Sequence, residues 1–82
     1  MFRERLRDIL SQEDINQMEL AAELTRQLEP TGKKYSQAAV SFLLSGKNRP
    51  DTLRMLWLLE HGNGYVKRIA QAALDAEVER RR

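Results

Sequence analysis

Apolar residues along this chain recur at steps of three and four, and Val, Ile and Thr never alternate over a useful length, so the chain reads as helices throughout. Phe2, Leu6, Ile9 and Leu10 lie on one helical stripe, with Arg3, Glu4, Arg5, Arg7 and Asp8 mostly on the other faces. Asn16 followed three places later by Glu19 is a capping-box start, which places a second helix from near Gln17. Leu20, Ala21, Leu24 and Leu28 continue its stripe until Pro30, which disfavours helical geometry at Glu29. Thr31-Gly32-Lys33-Lys34 reads as a basic loop, and Ser36 as the N-cap of a short third helix, Gln37 to Leu44, ended by Ser45-Gly46. Val40, Leu43 and Leu44 are its inward residues. Asp51 caps a fourth helix whose Leu53, Leu56, Trp57 and Leu59 are expected to form its packing surface, up to His61-Gly62-Asn63-Gly64. The last segment, Tyr65 to about Arg81, carries Val66, Ile69, Ala73 and Ala76 as a narrow seam of the kind that packs on another helix.

Eighty-two residues allow one core, so a deep substrate cavity is not expected. The chain has no cysteine, and neither disulfides nor thiolate metal sites can supply the stability a chain this short often needs. Self-association is the obvious substitute. The longest apolar run, Met55 to Leu59, is far below the roughly 20 residues that span a bilayer, and a charged, amphipathic N-terminus lacks a signal-peptide core; a cytoplasmic location with no membrane partner is the expectation.

The net charge is only +2, but basic residues gather at Lys33-Lys34, Lys47-Asn48-Arg49 and Arg80-Arg81-Arg82. The last cluster follows Glu77 and Glu79 and reads as support for the negative end of a helix. Trp57 sits at helical spacing among leucines, which favours packing over base stacking. His61, the single histidine, stands beside Gly62-Asn63-Gly64 and reads as a C-terminal cap. No second histidine, cysteine or carboxylate cluster stands at ligand spacing, so no metal, no cofactor and no enzymatic activity are expected.

Two stretches carry a family likeness. Ile15-Asn16-Gln17-Met18-Glu19-Leu20-Ala21-Ala22-Glu23-Leu24 opens with a Gln and has a small Ala at the position where two helices would cross. Ser36-Gln37-Ala38-Ala39-Val40-Ser41-Phe42-Leu43-Leu44-Ser45-Gly46-Lys47-Asn48-Arg49-Pro50 combines a Ser-Gln opening, buried residues three apart and a Gly-basic-x-basic-Pro exit. Together they resemble the paired helices of the lambda-repressor-like (Xre or Cro/CI-type) helix-turn-helix family. The resemblance implies an all-α, compact five-helix lambda-repressor-like domain, with residues 1–64 as the DNA-binding part and 65–82 as a C-terminal helix of the same domain. The chain also departs from that pattern. Ala21 and Val40 stand nineteen residues apart, a nine-residue insertion relative to the motif, and Thr25 occupies the place of its usual turn glycine. The insertion brings Arg26, Lys33 and Lys34 to a point just before the third helix.

By this resemblance, Gln37, Ala38, Ser41 and Phe42 face the bases of double-stranded DNA. Gln37 can pair in bidentate fashion with adenine, Ala38 can touch a thymine methyl, and Ser41 can donate or accept at several base edges. Phe42 can meet a thymine methyl or, equally, cover an apolar gap or meet Tyr35. Gln17, Lys33, Lys34, Ser36, Lys47, Asn48 and Arg49 are the expected phosphate contacts, which supply affinity and register rather than sequence choice. Val66, Ile69, Ala73 and Ala76 are the candidate dimerisation seam. The expected function is a repressor-like transcriptional regulator, a homodimer on a near-palindromic operator. A protein-interaction module on the same fold, such as an antiactivator or antitoxin-like partner, is the alternative, since the third helix is unusually apolar for a base reader. An architectural, excisionase-like DNA binder is a third class, marked by bending with weak sequence preference.

Overall fold

The computed structural model describes residues 2–82, leaving Met1 of the expected 1–64 segment outside the described residues. Five α-helices follow one another: α1 (Phe2–Glu13), α2 (Gln17–Leu28), α3 (Gln37–Ser45), α4 (Thr52–His61) and α5 (Tyr65–Arg81). No strand occurs among the described residues.

Local chemistry sets the helix starts where the sequence signals stand. The Asn16 side chain accepts from the Glu19 N–H at 2.8 Å while the Glu19 carboxylate accepts from the Asn16 N–H at 3.0 Å, a complete capping box for α2. Ser36 caps α3 by accepting from the Ala39 N–H at 3.0 Å, and Asp51 caps α4 by accepting from the Leu53 N–H at 2.9 Å. At the far end of α4 the cap is made by Gly62, whose N–H donates to the Leu58 carbonyl at 2.7 Å, rather than by His61. Glycine is required at Gly62 because a Cβ there would stand 2.4 Å from the Leu58 carbonyl oxygen. The His61 ring instead lies 4.7 Å from the Trp57 ring.

Leu6, Leu20, Leu24, Leu28, Val40, Met55, Leu58, Val66 and Ile69 are completely or almost completely buried, so all five helices contribute to one core. No charged side chain enters it among the described residues. The helices α4 and α5 pack on each other, α1 lies against α5, and α3 packs on α2 and α1. The Gln27 side chain ties α2 to the α4–α5 turn, accepting from the Asn63 N–H at 2.8 Å and donating to the Asn63 carbonyl at 3.3 Å.

Two expectations are corrected here. The face of α4 that packs inward carries Met55 and Leu58; of the four expected residues Trp57 and Leu59 pack partly buried against the core, whereas Leu53 is 78% and Leu56 48% exposed. A helix apolar on nearly all sides offers more than one stripe at helical spacing, so periodicity alone does not choose between them. On α5, Val66, Ile69 and Ala73 are buried in the chain's own core and Ala76 packs against it, so this seam is consumed within one copy and is not a surface for a second.

The segment that replaces a tight turn between α2 and α3 is an ordered structure. Glu29–Thr31 extends α2 by a 3-10 turn, and Gly32 reverses the chain at φ +74°. The Thr31 hydroxyl donates to the Leu28 carbonyl at 2.7 Å and accepts from the Lys33 N–H at 3.1 Å. Thr25 then fastens the returning strand of chain: its hydroxyl donates to the Tyr35 carbonyl at 3.0 Å and accepts from the Tyr35 N–H at 3.1 Å. The Tyr35 ring is buried beneath the Arg54 guanidinium, 5.1 Å from the ring centroid, and burial pushes its hydroxyl above the usual tyrosine range. That hydroxyl has no hydrogen-bond partner among the described residues. Thr25→Val should therefore destabilise the fold by about 1–3 kcal/mol, because two partly buried backbone groups lose their partner, whereas Tyr35→Phe should be nearly neutral. Thermal denaturation of the two variants checks this; equal effects would contradict the assignment.

Candidate nucleic-acid interface

The helix α3 is short and presents two faces. Val40, Leu43 and Leu44 are buried against α2 and α1, while Gln37, Ala38 and Phe42 are exposed and Ser41 is half-buried. Positions 37, 38, 41 and 42 follow one another at helical spacing, so they form one outward strip. The structure brings the four expected base-contact residues together. Phe42 is 41% exposed, and the Lys47 ammonium lies 5.6 Å from its ring centroid. Tyr35 lies beneath Arg54 and not in a ring pair with Phe42.

Both ends of α3 are held. At its N-terminus are the Ser36 cap and the Thr25–Tyr35 bonds. At its C-terminus Gly46 adopts φ +81°, and the Lys47 and Asn48 N–H groups donate to the Phe42 carbonyl at 3.0 and 3.3 Å. Two arginines of α1 complete this end: Arg7 donates to the Leu44 carbonyl and Arg3 to the Ser45 carbonyl, each at 3.2 Å. They place positive charge at the negative end of the α3 dipole. These two residues escaped the sequence reading, although their spacing of four along α1 is the one signal that marks them as neighbours on a face.

The expected phosphate contacts bracket the strip. Lys33, Lys34 and Ser36 precede α3, and Lys47, Asn48 and Arg49 follow it, all exposed. Gln17, half-buried at the start of α2, lies with Arg7, Asn16 and Leu44 around a shallow concavity at the C-terminal end of α3.

Charge is distributed unevenly around this strip. Residues 31–50 contain four cations and no carboxylate, so the rest of the chain carries a net −2. Elsewhere arginines are neutralised by neighbours: Arg5 by Asp75, Arg26 by Glu23, Arg68 by Glu13, and Arg80 and Arg81 by Glu77. The Arg26 guanidinium and then the Gln27 amide hold the Glu23 carboxyl below its usual range, as Arg80 and then Arg81 do for Glu77. Arg26, although it belongs to the inserted region, is thus already paired, and the basic C-terminal residues are paired along α5. By contrast Lys33, Lys34, Lys47 and Arg49 have no carboxylate partner among the described residues. Arg7, which bonds to the Leu44 carbonyl, and Lys67 on α5 also lack a carboxylate partner among the described residues, so four of the six cations without one lie in the two loops beside α3. No group of metal-binding side chains is found among the described residues, and no helix is long and apolar enough to cross a membrane.

No protein-family model, curated protein or solved structure matches this chain.

Removing both arginine side chains of α1 that grip α3, in Arg3→Ala/Arg7→Ala, should speed amide exchange at Gly46, Lys47 and Asn48 while leaving α2 protection unchanged. Hydrogen exchange read residue by residue tests this, and unchanged protection at those three amides would contradict the role given to the arginines.

Proposed function

We propose that this chain is a sequence-specific DNA-binding regulator of the lambda-repressor-like helix-turn-helix type, repressor-like in action, with α3 in the major groove. The observation that carries the reading is the pairing of an exposed helical strip with unneutralised cations in the loops on both of its sides. A duplex presents phosphates on both rims of its major groove, so a helix lying in that groove needs positive charge before and after it. The family likeness of the Ser36–Pro50 stretch supports the same reading.

In this arrangement Gln37 supplies the directional base contact. Its amide has no hydrogen-bond partner among the described residues and stands in the first turn of α3, where it is free to pair with adenine N6 and N7. Ala38 offers a methyl group to thymine, and Ser41 a hydroxyl to a base edge. Lys33 and Lys34 grip the backbone at the N-terminal side of α3; Lys47, Asn48 and Arg49 do so at the other side, with Gln17 at the amide-rich start of α2. The chain acts as a homodimer on a near-palindromic site, with the two copies of α3 about 34 Å apart.

The salt dependence of duplex binding tests the reading. Lys33→Ala and Arg49→Ala should each weaken binding across all sequences and lower the slope of log affinity against log salt by about 1. Gln37→Ala should cost about 1–3 kcal/mol on a preferred site and leave nonspecific binding unchanged. Salt slopes unaffected by these changes, together with loss of a protein partner on Phe42→Ala, would favour a protein-binding use of the same strip.

A further inference from the structure

The side chains on the outward strip of α3 belong to one half of the base-reading code. Gln37, Ala38 and Phe42 are exposed and Ser41 is half-buried. Ser45, the next position at helical spacing, has its hydroxyl proton engaged by the Phe42 carbonyl at 3.2 Å. In the major groove Gln pairs with adenine and apolar groups meet the thymine methyl, whereas guanine is taken by Arg or Lys and cytosine by Asp or Glu. The strip holds one Gln and two apolar side chains, and neither a cation nor a carboxylate. Ser41 accepts either kind of pair.

We propose that the duplex beneath each α3 is a run of about three A·T pairs, an inference that rests on the DNA-binding reading and names the base pairs it selects. The length follows from helix geometry. A helix rises about 1.5 Å per residue, so Gln37 to Phe42 covers about 7.5 Å, or about two base-pair steps of about 3.4 Å. Gln37 and Ala38 meet the pairs at one end of the run, and Phe42 meets the pair at the other. Selection works by exclusion as well as by contact. A G·C pair set against the Ala38 methyl or the Phe42 ring would have its amino and carbonyl edge groups taken out of water without a partner. A thymine offers its methyl group there instead, and covering that group is favourable.

The cations beside α3 stand outside the strip. Lys33 and Lys34 precede the Ser36 cap, and Lys47 and Arg49 follow Gly46, the residue that ends the helix. Lys47 has its ammonium 5.6 Å from the centroid of the Phe42 ring. Its place past the C-terminal end of α3 assigns it to the backbone, and substituting it separates that role from base reading.

Selection from random DNA with the full chain, followed by affinity measurement on the selected site, tests the inference. Wild type should enrich half-sites that hold an A·T run of this length. Gln37→Arg should exchange one adenine of the run for guanine, and Lys47→Ala should leave the motif unchanged while weakening binding to all sequences. Replacing the thymines of the run one at a time by deoxyuridine removes a single methyl group each time. One of these replacements should weaken wild-type binding about fourfold and make no difference to Phe42→Ala. The change is made in the DNA, so the wild-type readout does not depend on any variant folding. A G·C pair within the run, a guanine preference that disappears in Lys47→Ala, or indifference of wild type to every deoxyuridine would each overturn the inference and leave the DNA-binding reading standing. Recovery of no motif would overturn both.

Discussion

The Thr25 hydroxyl sits between the N–H and the carbonyl of Tyr35 and bonds to both. Without that contact, the segment between α2 and α3 would be a loop free to carry α3 to several angles. With it, the residue immediately before the Ser36 cap is fixed to the side of α2. Tyr35 adds weight to the anchor by burying its ring under Arg54, which links the same point to the start of α4. A lengthened connection is thereby made as definite as a tight turn, by side-chain hydrogen bonding to backbone instead of by a glycine.

The arginines of α1 perform the matching task at the other end of α3. Arg3 and Arg7 satisfy carbonyls that a helix terminus leaves without partners. The two anchors leave the outward strip of α3 unobstructed while its inward residues complete the core. Charge follows the same division. Ion pairs neutralise arginines on α1, α2 and α5, and the cations beside α3 are left to interact with something outside the chain.

Much of this fold was legible in the sequence because its signals are local. Capping at Asn16, Ser36 and Asp51 depends on side chains within three residues of the groups they satisfy, and each helix begins where its cap stands. The outward strip of α3 was legible for the same reason, since Val40, Leu43 and Leu44 fix the opposite side. The rest depends on contacts between distant residues. The Thr25–Tyr35 bonds bridge ten positions, and Arg7 reaches a carbonyl thirty-seven residues away; no short-range pattern encodes either. The orientation of α4 was misread because its leucines satisfy two stripes, and only the position of α5 decides which is buried. The seam of α5 was assigned to a partner because an apolar stripe looks the same whether its neighbour is in the same chain or in another. The absence of carboxylates from residues 31–50 was visible in the sequence, but it acquired meaning only once most of the other arginines were seen to be paired.

The account stands on α3 reading base sequence. Selection of bound duplexes from random DNA, at salt high enough to suppress nonspecific binding, tests that most directly. The account predicts enrichment of a two-fold symmetric motif with half-site centres about 10 base pairs apart. Recovery of no enriched motif would contradict it.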